Sequence, residues 1–345
     1  MAASETGGRL FVDLSICILT HCQPDLLPRC VSSCFTEIKR AGIEGEVIVI
    51  DNASSDGSPQ QVKARFPEVH LLRNEENLGF SAANNQAIRI STGQYVLILN
   101  DDAILQQDSL KTLLQVMESD PRIGAAGPKL LNPDGSTQLW FTNKRFPRLR
   151  GVLLEMSPLF QMFYWNPRLR AFFTDFEDPE LSCRTDHLAG ACLLAKREAL
   201  RASGLFDEGF QFWCEDVDLC YRIKQAGWGV AYVAEARVVH YGSASFRKIG
   251  RRPEQAAIYY TSIVRFMRKH SSRAKYNAFR AFMIPALVCR APVAALYGML
   301  KRGPRLAEVS GAVRTSWVVL RSMFARNGLR ASGSGTTSEV ASSGR

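Results

Sequence analysis

Nine cysteines occur in 345 residues, yet no two stand at CxxC spacing and they form no knot-like cluster. That excludes a zinc ribbon and a disulfide frame, and it leaves reduced thiols as the simplest state. The start, "MAASETGGRLFVDLSICIL", has no basic segment ahead of an apolar core and no small-residue cleavage site, so no signal peptide is expected. Long uninterrupted apolar runs are also missing. The nearest approach, "AFMIPALVCRAPVAALYGML" (281–300), contains Arg290, Pro285 and Pro292. It reads either as a helical pair at a membrane surface or as a packed helical cap that could mediate oligomer contacts.

What the chain has in excess is basic charge, and its location matters. The formal net charge is +10, but residues 265–345 carry fifteen Lys or Arg against two acids, Glu308 and Glu339. The rest of the chain is slightly acidic, so nothing in the body argues for a DNA or RNA partner. A length of 345 residues with 46% hydrophobic content suits one large domain with an accessory piece, or two domains.

The first hundred residues alternate strand and helix signals. "LSICILT", "GEVIVIDNAS", "EVHLLRN" and "YVLILNDD" read as buried strands. "LLPRCVSSCFTEI", a short helix around 58–66 and "SAANNQAIRI", closed by Gly93, separate them. Continuous apolar strands between helices predict a mainly parallel sheet covered on both faces. Ligands on such sheets bind at the carboxyl ends of the strands, where three polar clusters should meet: Thr20, Asp51 with Asn52, and Asn100 through Asp102. Residues 128–182 are irregular and rich in Pro, Arg and aromatics, as a substrate-covering loop or a packed insertion would be. Order resumes at "DHLAGACLLAKREAL", and "WGVAYVAEARVVHY" reads as a final strand pair. The expected divisions are an N-terminal tail (1–12), an α/β domain (13–250), a basic helical region (251–330) and a disordered tail (331–345).

Three features carry candidate chemistry. Asp101 and Asp102 at a strand's carboxyl end suit a hard divalent cation that keeps positions open for phosphate oxygens, although either could merely cap the next helix. His240 closes a strand and could complete a mixed carboxylate and imidazole shell. In "FQFWCEDVDLCYR", Glu215 and Asp216 fall at a helix N-terminus, where the dipole favours acids, beside an apolar wall in which one carboxylate could accept a proton from a hydroxyl. Asp218 reads as a dipole-favoured structural acid.

The ordered set "SICILTH", "EVIVIDNASSDGS", "RNEENLGFSAANNQAI", "GQYVLILNDDAIL", "GPKLLNPDGSTQ", "LAGACLLAKREAL" and "GLFDEGFQFWCEDVDLCYRIKQAGWGVAYVAEARVVHYGSAS" resembles glycosyltransferase family 2, in its rhamnosyltransferase-like branch. The resemblance spans about residues 13–246 and implies the GT-A nucleotide-sugar-binding fold. It implies a metal-dependent, inverting transfer of a sugar, with rhamnose from dTDP-rhamnose as best match and a UDP-sugar as alternative. The acceptor would be a hydroxyl of a lipid-linked or cell-surface polysaccharide acceptor, reached at the cytoplasmic membrane face.

By the same resemblance Thr20, Asp51 and Asn52 would line the nucleoside pocket, with Arg73, Asn77, Gly79 and Asn84 nearby. Asp102 and His240 would bind Mn2+ or Mg2+. Asp101 departs from the Asn-Pro-Asp that this branch more often shows and is placed with the donor. Asp216 would be the general base and Glu215 its support. Gly190 and Ala191 would floor the donor and acceptor sites, and Trp213 would stack on a sugar. A noncatalytic binding relative has no need of a base, and a nucleotidyltransferase would carry a Gly-rich basic loop where "LTHCQPDLL" stands.

Overall fold

The computed structural model describes residues 13–139, 145–147, 149, 151–152, 178–210, 212–242, 253–301 and 306–325. The opening alternation is β1 (Leu14–Thr20), α1 (Leu27–Ala41), β2 (Gly45–Asn52), α2 (Ser58–Arg65), β3 (His70–Asn74), α3 (Phe80–Ile90) and β4 (Tyr95–Asn100). There follow β5 (Ala103–Leu105), α4 (Ser109–Ser119), β6 (Ile123–Leu131), β7 (Cys183–Arg184), β8 (Cys192–Lys196), α5 (Arg197–Ser203), α6 (Glu215–Gln225) and β9 (Gly229–His240). Three helices end the described chain: α7 (Pro253–His270), α8 (Arg273–Lys301) and α9 (Leu306–Phe324).

Among the described residues the strands form one sheet in the order β3-β2-β1-β4-β8-β6-β9-β5, with β7 on β9. β1 pairs in parallel with β2 and β4, and β2 with β3. The reversal comes at β8, antiparallel to both β4 and β6. Period-2 alternation explains the two-sided cover. Leu14, Ile16, Val47, Val49, Leu97 and Leu99 face one core with α1 and α4, while Cys17, Ile48, Ile50, Val96 and Ile98 face another with α3 and α6. Parallel pairing in register then delivers Thr20, Asp51 and the end of β4 to a common edge.

Three local expectations are corrected. "WGVAYVAEARVVHY" is one long strand, β9, because its residues pair continuously with β6 apart from two register shifts, and its last three residues also pair with β5. Helix α3 ends at Ile90, with Ser91 as its cap, two residues before Gly93. Gly93 serves a close approach instead, since a Cβ there would lie 2.5 Å from the Ser15 backbone nitrogen. The segment 281–300 belongs to a single helix, α8, that contains both Pro285 and Pro292. The tails 1–12 and 331–345, and most of the irregular stretch after residue 139, lie outside the described residues.

A third apolar cluster joins the C-terminal helices to the body. Phe210, Cys214 and Val217 pack with Tyr260, Val264 and Phe279. Beside it an ion cluster ties α7 to α6. Asp218, which carries no exposed surface, meets Arg222 Nε at 2.7 Å, Lys269 Nζ at 2.8 Å and His270 Nε2 at 2.6 Å. Asp207 meets Arg265 at 2.9 Å and Lys269 at 2.6 Å. Asp218 is thus far more than an acid favoured by a helix dipole. Asp218→Asn would leave Arg222 and Lys269 facing one another beside His270, and because Lys269 keeps partial contact with water the expected loss sits at the low end for a broken buried pair, about 3 kcal/mol. Urea unfolding of the two proteins checks this.

Candidate active site

One side of the rim is a hydrogen-bonded mesh. Asp51 is buried at the end of β2. Its Oδ1 accepts the Ser54 N–H at 2.8 Å and its Oδ2 lies 3.3 Å from Arg73 Nε. β3 pairing sets that ion pair, because Arg73 stands opposite Asp51 in register. Asn52 donates to Asn77 Oδ1 at 2.7 Å and accepts from Leu78 N–H and Asn74. Asn77 Oδ1 also takes the Gly79 N–H, so the loop before α3 is anchored on β2. Asn84, one turn into α3, donates to the Phe80 carbonyl. His21 bridges the mesh to the acids: its Nδ1 lies 2.9 Å from the Asn52 carbonyl and its N–H reaches Asp101 Oδ2 at 3.4 Å.

Asp101 and Asp102 follow β4 in a turn. The Asp101 carboxyl is pushed up to about 7 by loss of water around it and by Asp102, against the Thr20 hydroxyl and His21 N–H, which favour its ionised form. Pairing of β5 with β9 sets Ala103 opposite His240, which brings Asp102 and His240 together. His240 Nε2 is 3.4 Å from Asp102 Oδ1, and that oxygen is buried with no hydrogen-bond partner.

Gln138 explains the imidazole's orientation. Its amide nitrogen donates to the His240 carbonyl at 2.5 Å and to Asn132 at 3.2 Å, so its oxygen faces His240 Nδ1 at 2.9 Å. The ring is thereby held with Nε2 directed at the Asp102 carboxylate. A carboxylate oxygen and an imidazole nitrogen so placed are a donor pair of the kind a divalent cation takes. Gly242 supplies the room, since a Cβ there would come within 2.6 Å of Asp102 Oδ2 and 2.9 Å of His240 Nε2. Among the described residues no group of three His, Cys, Asp or Glu side chains converges. A divalent ion held by this pair would need its other ligands from phosphate and water.

The third part of the rim is the start of α6. Trp213 and Cys214 both adopt left-handed backbone, at φ 64° and 65°, an unfavourable pair for residues with side chains. This turn presents Glu215 and Asp216 at the helix N-terminus, and no side chain caps it. Asp216 accepts Gly190 N–H at Oδ2 and Val217 N–H at Oδ1, both at 2.8 Å. Gly190 is tied in turn to β4, because the carbonyl of its neighbour Ala191 accepts the Asn100 N–H at 3.0 Å. Ala191's own side chain is buried in the core, so only its backbone reaches the edge. Glu215 is buried, and its Oε2 has no hydrogen-bond partner. Burial and the Asp216 charge raise its carboxyl well above the usual range.

The aromatic wall divides. Phe210 is buried under Arg265 and Lys269, so it serves the α7 contact. Trp213 stacks edge-on between Phe212 and Tyr259 of α7, at 4.8 and 6.2 Å between ring centres. Sequence reading missed His21, Gln138 and Gly242. All three stood inside matched segments, but the His21 and Gln138 contacts, at separations of 31 and 102 residues, leave no local signal.

Residues 15–203 match the family model described as Glycosyl transferase family 2. The N-acetylglucosaminyl-diphospho-decaprenol L-rhamnosyltransferase of Mycobacterium tuberculosis (strain ATCC 25618 / H37Rv) is 33% identical over 222 residues, covering 60% of this chain and 69% of that protein. Rhamnosyltransferase WbbL of Escherichia coli (strain K12) is 28% identical over 171 residues, 47% of this chain and 61% of its own. The fold is similar to that of mannosyltransferase PcManGT from Pyrobaculum calidifontis in complex with GDP-Man and Mn2+, at a TM-score of 0.53 and 18% identity, covering 90% of this chain and 88% of that one. GalNAc-T7 with UDP, GalNAc and Mn2+ also scores 0.53 at 19% identity, over 79% of this chain and 51% of that one.

The raised Glu215 carboxyl has a consequence for stability. Its ionised form is disfavoured in the folded state relative to an ordinary value of 4.5, so wild-type stability falls as pH rises from there through the folded-state value. Glu215→Gln removes that fall. Melting temperatures should agree below about pH 4.5, where the acid is protonated in both states, and diverge in favour of the variant as pH increases.

Proposed function

The chain belongs to glycosyl transferase family 2, in its rhamnosyltransferase-like branch with the GT-A fold, and from that premise we propose that it moves rhamnose from dTDP-rhamnose to a hydroxyl of a lipid-linked or polysaccharide acceptor, inverting the anomeric carbon. The observation that carries this reading is the single edge on which Asp51, the Asp102 and His240 pair, and Asp216 are linked through β2, β4 and the Gly190 turn. The acceptor class is drawn from the relative's name, which specifies a diphospho-decaprenol substrate.

Each residue's task follows from its surroundings. Asp51, ion-paired with Arg73, accepts the imide N–H of a thymine or uracil. Asn52, Asn77 and Gly79 hold the loop that closes the nucleoside pocket, with Thr20, Arg73 and Asn84 around it. Asp102 and His240 would hold Mn2+ or Mg2+, which when bound offsets the charge gathering on the departing nucleoside diphosphate. Asp101 stands on the donor side beside them.

Asp216 takes the proton of the attacking acceptor hydroxyl. Its two backbone N–H bonds aim the carboxylate and favour its ionised form, and lone pairs remain for the incoming proton. Burial and Asp216 raise the Glu215 carboxyl beside it, which disfavours a second negative charge there. The attack comes opposite the departing diphosphate, so one displacement inverts the centre, and the positive charge developing at the anomeric carbon is that of other glycosyl transfers. Trp213 offers its ring to the acceptor sugar. Gly190 lets the donor sugar approach, and Ala191 contributes backbone to the same floor. The α/β domain of residues 13–250 would hold all of this chemistry, with residues 251–330 as a helical region beside it.

A thermal-shift panel of nucleoside diphosphate sugars, each with Mn2+ or Mg2+, tests the reading. A ligand at a hundred times its dissociation constant stabilises the folded state by about 2.7 kcal/mol. We expect dTDP-rhamnose with a divalent ion to give the largest shift, and Asp102→Asn to abolish the part that depends on the ion. A larger shift with a UDP-sugar would move the donor assignment, and an unchanged ion dependence in Asp102→Asn would remove the metal site.

A further inference from the structure

We propose that the outward faces of α8 and α9 form a docking surface for an anionic lipid bilayer. The inference deepens the preceding reading of a lipid-linked acceptor and rests on it for its purpose. On α8, Phe279, Met283 and Leu287 turn inward to the third core. The opposite stripe, Ala281, Phe282, Pro285, Val288, Cys289 and Pro292, is exposed and wholly uncharged. On α9, Val319 and Met323 face the same core, while Val313, Trp317 and Phe324 face outward. Trp317 is 66% exposed. The two stripes adjoin, since the Arg280 guanidinium of α8 lies 4.4 Å from the centre of the Phe324 ring of α9.

The charge around these stripes selects the occupant. Arg273, Lys275, Arg314 and Arg321 are exposed on the same two helices, whose described residues include one acid, Glu308. A second copy of the chain would bring the same cations against them. A nucleic acid would pair with the cations but leave Trp317, Phe282 and Val313 without apolar contact. An anionic bilayer satisfies both: aromatic and aliphatic side chains enter the headgroup boundary while the guanidinium groups meet lipid phosphates. No helix among the described residues is long and apolar enough to cross a membrane, so the mode of contact is along the surface. Because α7 is clasped to α6 through Asp207 and Asp218, docking would also fix the height and tilt of the Asp216 edge above the bilayer.

The full chain is to be sedimented with vesicles of phosphatidylcholine alone and of phosphatidylcholine mixed with phosphatidylglycerol. We expect binding to the anionic vesicles, weakened by salt. Phe282→Ser with Trp317→Ser should lower the affinity by at least about tenfold, Arg314→Gln and Arg321→Gln by about fivefold each, and Leu181→Ser, exposed elsewhere, should leave it unchanged. Unfolding temperature and transfer to a water-soluble acceptor should survive in all of them. Wild-type binding that ignores lipid charge, or docking variants that bind like wild type, would overturn the proposal. So would variants that dissolve a dimer or release RNA while vesicle binding stays absent throughout. If vesicle binding follows the expected pattern but no donor supports transfer to any acceptor, the enzymatic reading fails and the docking surface stands. The converse result separates them the other way.

Discussion

Carboxylates crowded against apolar strand ends must each be matched, and the architecture of this protein follows from how that is done at one edge. Solvation that water would supply is replaced residue by residue. Asp51 has Arg73, delivered by strand register. Asp216 has two backbone N–H groups, burial and Asp216 raise the Glu215 carboxyl, and Asp218 is met by Arg222, Lys269 and His270 from two helices. At Asp102 the buried Oδ1 has no hydrogen-bond partner and faces His240 Nε2 at 3.4 Å. A buried carboxylate oxygen beside an imidazole nitrogen is a donor pair that suits a bound cation.

The C-terminal helices enter this arrangement from the far side. Helix α7 supplies cations for Asp207 and Asp218 and the ring that backs Trp213, so the helix carrying the proposed base is braced from the C-terminal side, and both helices follow the matched residues 15–203. The strained turn at Trp213 and Cys214 sits between these supports. A left-handed pair there costs conformational energy, and packing of Cys214 and Val217 against α7 through α9 offsets it. The binding edge and the basic helices are therefore mechanically one unit, although their compositions differ sharply.

The parallel sheet and its polar rim were legible because their signals are local. Runs such as "VIVIDN" and "VLILND" combine a buried strand and its polar end in adjacent residues. The order of family motifs carried the family itself. The reversal at β8, the continuous β9 and the single α8 were not legible, since they depend on which strands accept each other and on packing that tolerates two prolines within a helix. The role of Gln138 was equally hidden: a glutamine after a turn looks like any surface polar until the strand 102 residues later brings His240 to it. Asp218 shows the opposite error, a residue that local helix logic explained too easily.

The central claim is that Asp216 takes the acceptor's proton on an edge that binds the donor independently. Steady-state kinetics of Asp216→Asn with a competent donor test it most directly. The account predicts a fall in kcat of about 10²- to 10⁴-fold with the donor's thermal shift retained. Transfer at the wild-type rate by Asp216→Asn would contradict it.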